Sequence, residues 1–373
     1  MNKELRVIIS GGGTGGHIFP AISIANAIKK LRADAQILFI GASGRMEMQR
    51  VPDAGYEIKG LPIMGFDRKH LLKNIIVLYK VYKSQRMAKK IIKDFKPDVV
   101  VGVGGYASGP TLNQAAAMGI PCLIQEQNSY AGVTNKLLAK KVAKVCVAYE
   151  GMERFFPADR IIMTGNPVRQ ALFETAVAKE DAKKTFGLNP DKPVILFVGG
   201  SLGARTINES ILSHIDMIKN SDVQVIWQTG KYYNSEIQDK LKGETIPNLH
   251  VTDFIKDMGI AYKAADLVVS RAGASSISEF CLLGMPVILV PSPNVAEDHQ
   301  TKNAMSLVNK DAALYVKDTE ARNALLELAM DTVADKNRLY ALSENIKKLA
   351  LPDSAEIIAQ EVIKLGNANT HGT

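Results

Sequence analysis

The stretch SGGGTGGHIFP, residues 10–20, stands between the apolar run LRVII and the segment AISIANAIKK, and reads as the turn from a strand into a helix. Five of the six residues from Gly11 to Gly16 are glycine. Such a turn lets backbone approach a phosphate, and the N–H groups and dipole of the helix behind it favour negative charge. Written as Gly11-x-Gly13-x-x-Gly16, it matches the fingerprint of a dinucleotide site. That site also needs an acid about 20 residues on, at the end of the second strand. Here that strand ends in LFIGASGRMEMQ, with Gly41, Ala42 and Ser43 in the acid's place, Asp34 before the strand and Glu47 well past it. The glycines are therefore expected to serve a different diphosphate, with tight helix–strand packing as the competing use. Thr14 adds a hydroxyl, and His17 stands at the helix start, where an imidazole can act as base, acid or donor. Pro20 is expected in the first helical turn.

A chain of 373 residues exceeds one ordinary core and predicts two domains. Hydrophobic residues at 46% and charged residues at 23% are usual for a soluble globular protein. No uncharged apolar run is long enough to predict a membrane-spanning helix, and the first apolar run is too short for a secretory leader. Cys122, Cys146 and Cys281 lie far apart in apolar segments, which predicts buried free thiols in a reducing compartment. No Cys/His spacing suggests a metal site. The net charge of +8 is uneven: residues 1–165 hold 24 Lys and Arg against 12 Asp and Glu, and residues 166–373 hold 22 against 26. The basic part is expected to meet phosphate, nucleic acid or an acidic membrane surface, or to serve solubility alone.

Short apolar runs alternate with amphipathic segments. Candidate strands are Leu5–Ser10, Gln36–Gly41, Asp98–Gly102, Pro121–Gln125 and Val145–Ala148; after a break near residues 164–168 come Val194–Val198, Val223–Gln228, Leu249–Thr252, Leu267–Ser270, Pro286–Val290 and Ala313–Val316. This rhythm predicts an α/β chain of two doubly wound parallel-sheet domains, 1–165 and 166–350. Residues 351–373 are expected to form a helix that crosses back to the first domain, followed by a frayed tail. The two series echo each other: ILFVGGSLGARTINESIL opens the second as the glycine stretch opens the first.

Other motifs follow strands, where ligands of such sheets bind. VGVGGYASGP (101–110) carries Gly104, Gly105 and Tyr106; IQEQNSYAGVTNK (124–136) clusters Glu126, Gln127, Asn128 and Asn135, side chains suited to sugar hydroxyls or to capping the next helix. Arg169 in TGNPVR can bind a diphosphate in bidentate fashion, and Ser201 lies in the second glycine loop, GGSLGAR. SRAGASSISEF (270–280) leads into a helix bearing Glu279, a candidate acceptor for ribose hydroxyls or a solvated carboxylate. PSPNVAEDHQTKNA (291–304) offers Glu297, Asp298, His299 and Gln300 to a sugar; adjacent Asp298 and His299 lack the spacing of a metal pair.

GGTGGHIFPA, GGYASGP, EQNSYAGVTNK, TGNPVR, GGSLGAR, RAGASSISE and EDHQTKNA occur in this order across residues 11–304. Together they resemble the MurG family of bacterial glycosyltransferases. The resemblance implies the GT-B architecture, two Rossmann-like domains facing a cleft. It implies transfer of GlcNAc from UDP-GlcNAc to the MurNAc C4 hydroxyl of lipid I, with inversion at the anomeric carbon, to give lipid II. Carried over by motif, it places Arg169 and Ser201 on the UDP diphosphate. The Ile255 backbone falls on uracil, Ala274, Ser275, Ser276, Ile277, Ser278 and Glu279 around the nucleoside, and Gln300 on the GlcNAc hydroxyls. Thr14, Gly15, Gly16 and Asn128 fall near the donor sugar or reaction centre, and Gly104, Gly105 and Tyr106 on the acceptor side. His17 is the first candidate base, with Glu126 or a water as the competing one. No cofactor and no metal are implied.

Residues 70–96, HLLKNIIVLYKVYKSQRMAKKIIKDFK, set Leu71, Leu72, Ile75, Ile76, Tyr79 and Tyr82 at helical spacing among basic residues. A basic amphipathic helix can lie on an anionic leaflet. The front portion, 66–82, is expected to touch lipid and the rear to pack inward, which predicts a peripheral protein on the cytoplasmic face of the bacterial inner membrane. Candidate protein partners are other cell-wall synthesis proteins, and nucleic acid is disfavoured because aromatic platforms are few. The rival readings are a GT-B transferase with another lipid acceptor, a UDP-GlcNAc 2-epimerase, and a non-catalytic nucleotide-binding module.

Overall fold

The computed structural model describes residues 4–65, 74–168, 172, 176–200 and 202–370. The chain divides into two compact units, Met1–Arg169 with Leu351–Thr373, and Gln170–Ala350.

In the first unit the order is β1 (Arg6–Ser10), α1 (Gly15–Leu31), β2 (Gln36–Ala42), α2 (Glu47–Asp53), β3 (Glu57–Leu61), α3 (Asn74–Phe95), β4 (Val99–Gly102), α4 (Ser108–Ala117), β5 (Cys122–Glu126), α5 (Val133–Leu138), β6 (Lys144–Val147) and β7 (Ile161–Met163). The strands form one sheet in the order β3-β2-β1-β4-β5-β6-β7. Every pairing is parallel. Ile8 lies in the core on one face of the sheet, and Val7 and Ile9 lie in the core on the other. Burial on both faces is why β1 reads as a continuous apolar run rather than an alternating one. Strand order reverses between β1 and β4, the point at which sheets of this kind bind ligands beyond the carboxyl ends of their strands.

The second unit repeats the plan: α6 (Lys179–Thr185), β8 (Val194–Val198), α7 (Arg205–Ser213), α8 (Ile215–Lys219), β9 (Gln224–Gln228), α9 (Asn234–Leu241), β10 (Leu249–Thr252), α10 (Met258–Ala264), β11 (Leu267–Ser270), α11 (Ala274–Leu283), β12 (Val287–Leu289), α12 (His299–Val308), β13 (Leu314–Tyr315), α13 (Asp318–Ala334) and α14 (Lys336–Lys347). Its sheet runs β10-β9-β8-β11-β12-β13, again parallel, with the reversal between β8 and β11. The core centres on Phe197 and Trp227, both fully buried. The Trp227 indole N–H donates to Asn208 Oδ1 at 2.9 Å, which satisfies its one polar atom.

The last helix, α15 (Ser354–Thr370), belongs to the first unit, where Ile358, Ala359 and Val362 join the core beside α1. Gly366 packs closely on Leu5, just ahead of β1, since a Cβ there would sit 2.5 Å from Leu5 Cδ1. Asn369 Nδ2 donates to Asp98 O at 3.2 Å. Two strands lie outside the sequence expectations. One is β3, a polar-alternating EIKGL at the sheet edge, and the other is the three-residue β7. Pro20 falls inside α1, past its first turn, and is buried.

Candidate active site

In the first unit the loops after β1 and β4 interlock. A Cβ on Gly11 would clash with the Val103 side chain, one on Gly105 with the Gly12 carbonyl, and one on Gly104 would lie 2.8 Å from the His17 ring. Gly105 has φ +82°, so side-chain bulk and backbone conformation both require glycine there. Ser108 Oγ lies 2.8 Å from both Ser10 O and Gly104 O, joining the two loops. Packing thus explains several of the glycines. Gly13 differs: at φ +91° it faces open space, and its N–H donates to Glu47 Oε2 at 2.8 Å. Glu47 Oε1 accepts from Ala42 N at 2.9 Å, and the residue is 1% exposed. A buried carboxylate therefore already holds the loop N–H that a pyrophosphate would use in a dinucleotide site. Glu47, which sequence spacing sets far from the loop, is one of its supports.

The first turn of α1 remains as an anion-favouring element. Thr14 takes an extended conformation ahead of it and is exposed. The N–H groups of Gly15 and Gly16 belong to the turn that has no intrahelical acceptors. His17 is half-buried, and its Nδ1 lies 3.0 Å from Gln127 Oε1. Tyr106, 49% exposed, lies beside Gly65.

Glu126, at the end of β5, is 2% exposed. Its Oε1 accepts from Asn128 N at 3.1 Å and its Oε2 from Gly132 N at 2.9 Å and Asn135 Nδ2 at 2.8 Å. These bonds tie the 127–132 loop to its strand. They commit the carboxylate to two backbone N–H groups and the Asn135 amide, so the geometry fits loop support better than proton abstraction.

In the second unit the glycine loop after β8 packs against the end of β9. A Cβ on Gly203 would strike the Thr229 carbonyl, and Gln228 Nε2 donates to Gly200 O at 3.1 Å. Across the strand reversal, β11 leads through Gly273 into α11, whose first residues, Ala274 to Ser278, present another helix N-terminus. Ser275 Oγ is buried without a hydrogen-bond partner among the described residues, and Ser278 Oγ donates to Ala274 O. Glu279 is 5% exposed and accepts from Tyr262 OH at 3.0 Å, so it is a positioned carboxylate rather than a solvated one. Arg271, between β11 and α11, donates to Val290 O, Pro291 O and Asp318 Oδ1 from Nη1 and to Thr206 Oγ1 from Nη2, joining α7, α13 and the end of β12. Ile255 is buried beside half-exposed Phe254, lining a groove of about 230 Å³ with His250 and Asp257. Gln300, in the first turn of α12, accepts from Ser292 N through Oε1 at 2.8 Å. Before it, Glu297 and Asp298 both hold positive φ, at +57° and +50°. Two such non-glycine residues in succession mark a strained entry to α12. Arg169 and Ser201 lie outside the described residues. Sequence spacing gave no signal for Glu47, Tyr262 or Arg271, because each reaches its partner through the fold.

Two family models match this chain. The glycosyltransferase family 28 N-terminal domain covers residues 7–147 and its C-terminal domain residues 194–358. A curated relative from Bacteroides thetaiotaomicron, the UDP-N-acetylglucosamine–N-acetylmuramyl-(pentapeptide) pyrophosphoryl-undecaprenol N-acetylglucosamine transferase, is 68% identical over 99% of this chain and 100% of its own. Among solved structures, MurG of Acinetobacter baumannii superposes with a TM-score of 0.77 at 29% identity, over 96% of this chain and 99% of that one. The UDP-GlcNAc 2-epimerase of Neisseria meningitidis, at 17% identity and TM-score 0.68 over 97% of this chain and 100% of that one, shares the fold alone. The paired domain matches, the full-length identity and the two parallel sheets with glycine loops at their reversals agree: the chain belongs to glycosyltransferase family 28, in its MurG family.

Proposed function

We propose that this chain transfers GlcNAc from UDP-GlcNAc to the C4 hydroxyl of MurNAc in lipid I, yielding lipid II with inversion at the anomeric carbon. The observation that carries the reading is 68% identity, end to end, with a transferase named for that reaction. Arg169, Ser201 and the N-terminus of α11 serve the UDP diphosphate. Negative charge grows on the β-phosphate as its bond to C1 breaks, and a fixed helix dipole stabilises that charge more in the transition state than before it. Glu279, held by Tyr262, takes the ribose; the Ile255 backbone takes uracil; Gln300 takes the sugar hydroxyls. In the first unit, Thr14, Gly15, Gly16 and Asn128 serve the donor sugar or the reaction centre, and the loop of Gly104, Gly105 and Tyr106 serves the acceptor diphosphate. His17 removes the proton from the acceptor hydroxyl. The bonds that Glu126 already makes support a structural role for it.

Radiolabelled UDP-GlcNAc incubated with a short-chain lipid I analogue, with UDP release followed in parallel, tests the reaction: label must enter the lipid product. UDP release without lipid labelling would refute it. For His17, kcat/KM rises with pH as the imidazole loses its proton, and this acid limb disappears in His17→Ala. An unchanged acid limb in the residual activity removes His17 as the titrating base.

Membrane docking fits the lipid-linked acceptor. On α3, Val77, Ser84, Ala88 and Ile92 face the core, while Ile76, Leu78, Tyr79 and Tyr82 are 57–64% exposed beside Lys83 and Arg86. That apolar and basic face suits an anionic leaflet. The preceding residues, 66–73, lie outside the described residues. No helix among the described residues is long and apolar enough to cross a membrane. Flotation with anionic vesicles is expected to weaken in Tyr79→Glu and Lys83→Glu, and unchanged binding in both would remove this part of the reading.

A further inference from the structure

Three buried side-chain amides lead to His17. Asn166, Gln125 and Gln127 are 2%, 0% and 2% exposed. Gln125 Nε2 donates to Asn166 Oδ1 at 2.9 Å, which turns Gln125 Oε1 toward Gln127. Gln127 Nε2 donates to that Oε1, to Val103 O at 2.8 Å and to Gln125 O at 3.2 Å. Asn166 Nδ2 closes the chain on Gln127 O at 3.0 Å.

The orientation of a glutamine amide is normally ambiguous, and so is the tautomer of a histidine that meets it. Here neither is. Three oxygens surround Gln127 Nε2, so the nitrogen must stay there and Oε1 must be the atom 3.0 Å from His17 Nδ1. An amide oxygen only accepts, so Nδ1 must carry the proton. In the neutral ring the lone pair then resides on Nε2, although free imidazole side chains prefer the opposite arrangement.

We infer that Gln127 is a positioning residue: the Asn166–Gln125–Gln127 amide chain holds His17 in its Nδ1–H tautomer with Nε2 as the basic nitrogen. This rests on the reading of His17 as base only for its kinetic consequence. The tautomer is a property of the resting protein.

The test is ¹⁵N NMR of histidine-labelled protein at a pH where the imidazole is neutral, with the His17 signals assigned by their loss in His17→Gln. Wild-type protein must show a protonated Nδ1 and an unprotonated Nε2. Gln127→Met, of similar volume but without an acceptor, must move the ring toward the Nε2–H form and lower kcat by about 10²-fold, a typical contribution of a general base, with little change in KM. Gln127→Glu must keep Nδ1–H and recover much of the rate, because the three oxygens at the former Nε2 position favour the protonated carboxyl, whose hydroxyl donates to them while its carbonyl oxygen faces the ring. An Nε2–H ring in the wild type overturns the inference whether or not Gln127→Met folds, as does retention of Nδ1–H in Gln127→Met. Full turnover in His17→Gln would remove the base and leave the tautomer assignment standing, so the two failures are distinguishable.

Discussion

Replacing Glu47 with glutamine tests whether the glycine loop is held from below. The carboxylate accepts from Gly13 N at 2.8 Å and Ala42 N at 2.9 Å, and it is 1% exposed. Hydrogen bonds to a charged acceptor contribute about 1.5–3 kcal/mol each. A glutamine presents one oxygen and one NH₂, so one of the two backbone donors must face another donor. The loss is one such bond, about 2 kcal/mol, offset in part because a neutral amide is less costly to bury than a carboxylate. For a unit of this size, each kcal/mol moves Tm by roughly 2–4 °C, so the first unit should melt about 4–8 °C lower. Two compact units need not melt together, so the assay is site-resolved: hydrogen exchange at the Gly13 and Ala42 amides beside calorimetry. Exchange at one of the two amides should accelerate by about 30-fold, the equivalent of 2 kcal/mol. kcat/KM toward the lipid analogue should fall, and KM for UDP-GlcNAc should stay unchanged. Unaltered exchange at both amides, with an unaltered melting transition, would refute the reasoning.

Other substitutions probe the remaining contacts. Gly105→Ala must push the Gly12 carbonyl aside and adopt φ +82°, so urea titration of the first unit should show a loss of about 1–3 kcal/mol. Asp318→Asn leaves the Arg271 guanidinium, 18% exposed, without its anionic partner, and denaturation of the second unit should register about 3 kcal/mol. Tyr262→Phe removes the hydroxyl that holds Glu279; losing about 1 kcal/mol of positioning should raise KM for UDP-GlcNAc roughly five-fold, with kcat nearly unchanged. Burial pushes the thiols of Cys122, Cys146 and Cys281 up to about 12. The folded chain therefore keeps these protons after the unfolded chain has released its own. Stability from this source is complete below the ordinary value of 9.0 and is lost as pH rises toward 12, so the urea midpoint should decline above about pH 9.

The sheets were readable from sequence because their central strands are buried on both faces and appear as unbroken apolar runs, as in Val194–Val198. The edge strand β3 escaped because EIKGL alternates with polar residues, and β7 because three residues carry too little periodicity. The site divides in a similar way. Glycine loops after strands announce themselves, since few other residues tolerate their backbone. The groups that hold those loops do not. Glu47 meets Gly13 from 34 residues away, and Asn166 reaches Gln125 from 41 away. A buried carboxylate or amide has the same sequence signature as a solvated one until its partners are known.

The helix Ser354–Thr370 carries a consequence for how the protein is made. The second unit is continuous in sequence and can close as soon as Ala350 has left the ribosome. The first unit, although translated earlier, must wait for Ile358, Ala359 and Val362 to cover α1, so its apolar flank stays open on the nascent chain throughout synthesis of the second. Chaperone engagement and proteolytic loss should therefore concentrate on the earlier-synthesised half, and a premature stop just after Ala350 should leave a folded second unit tethered to an incomplete partner.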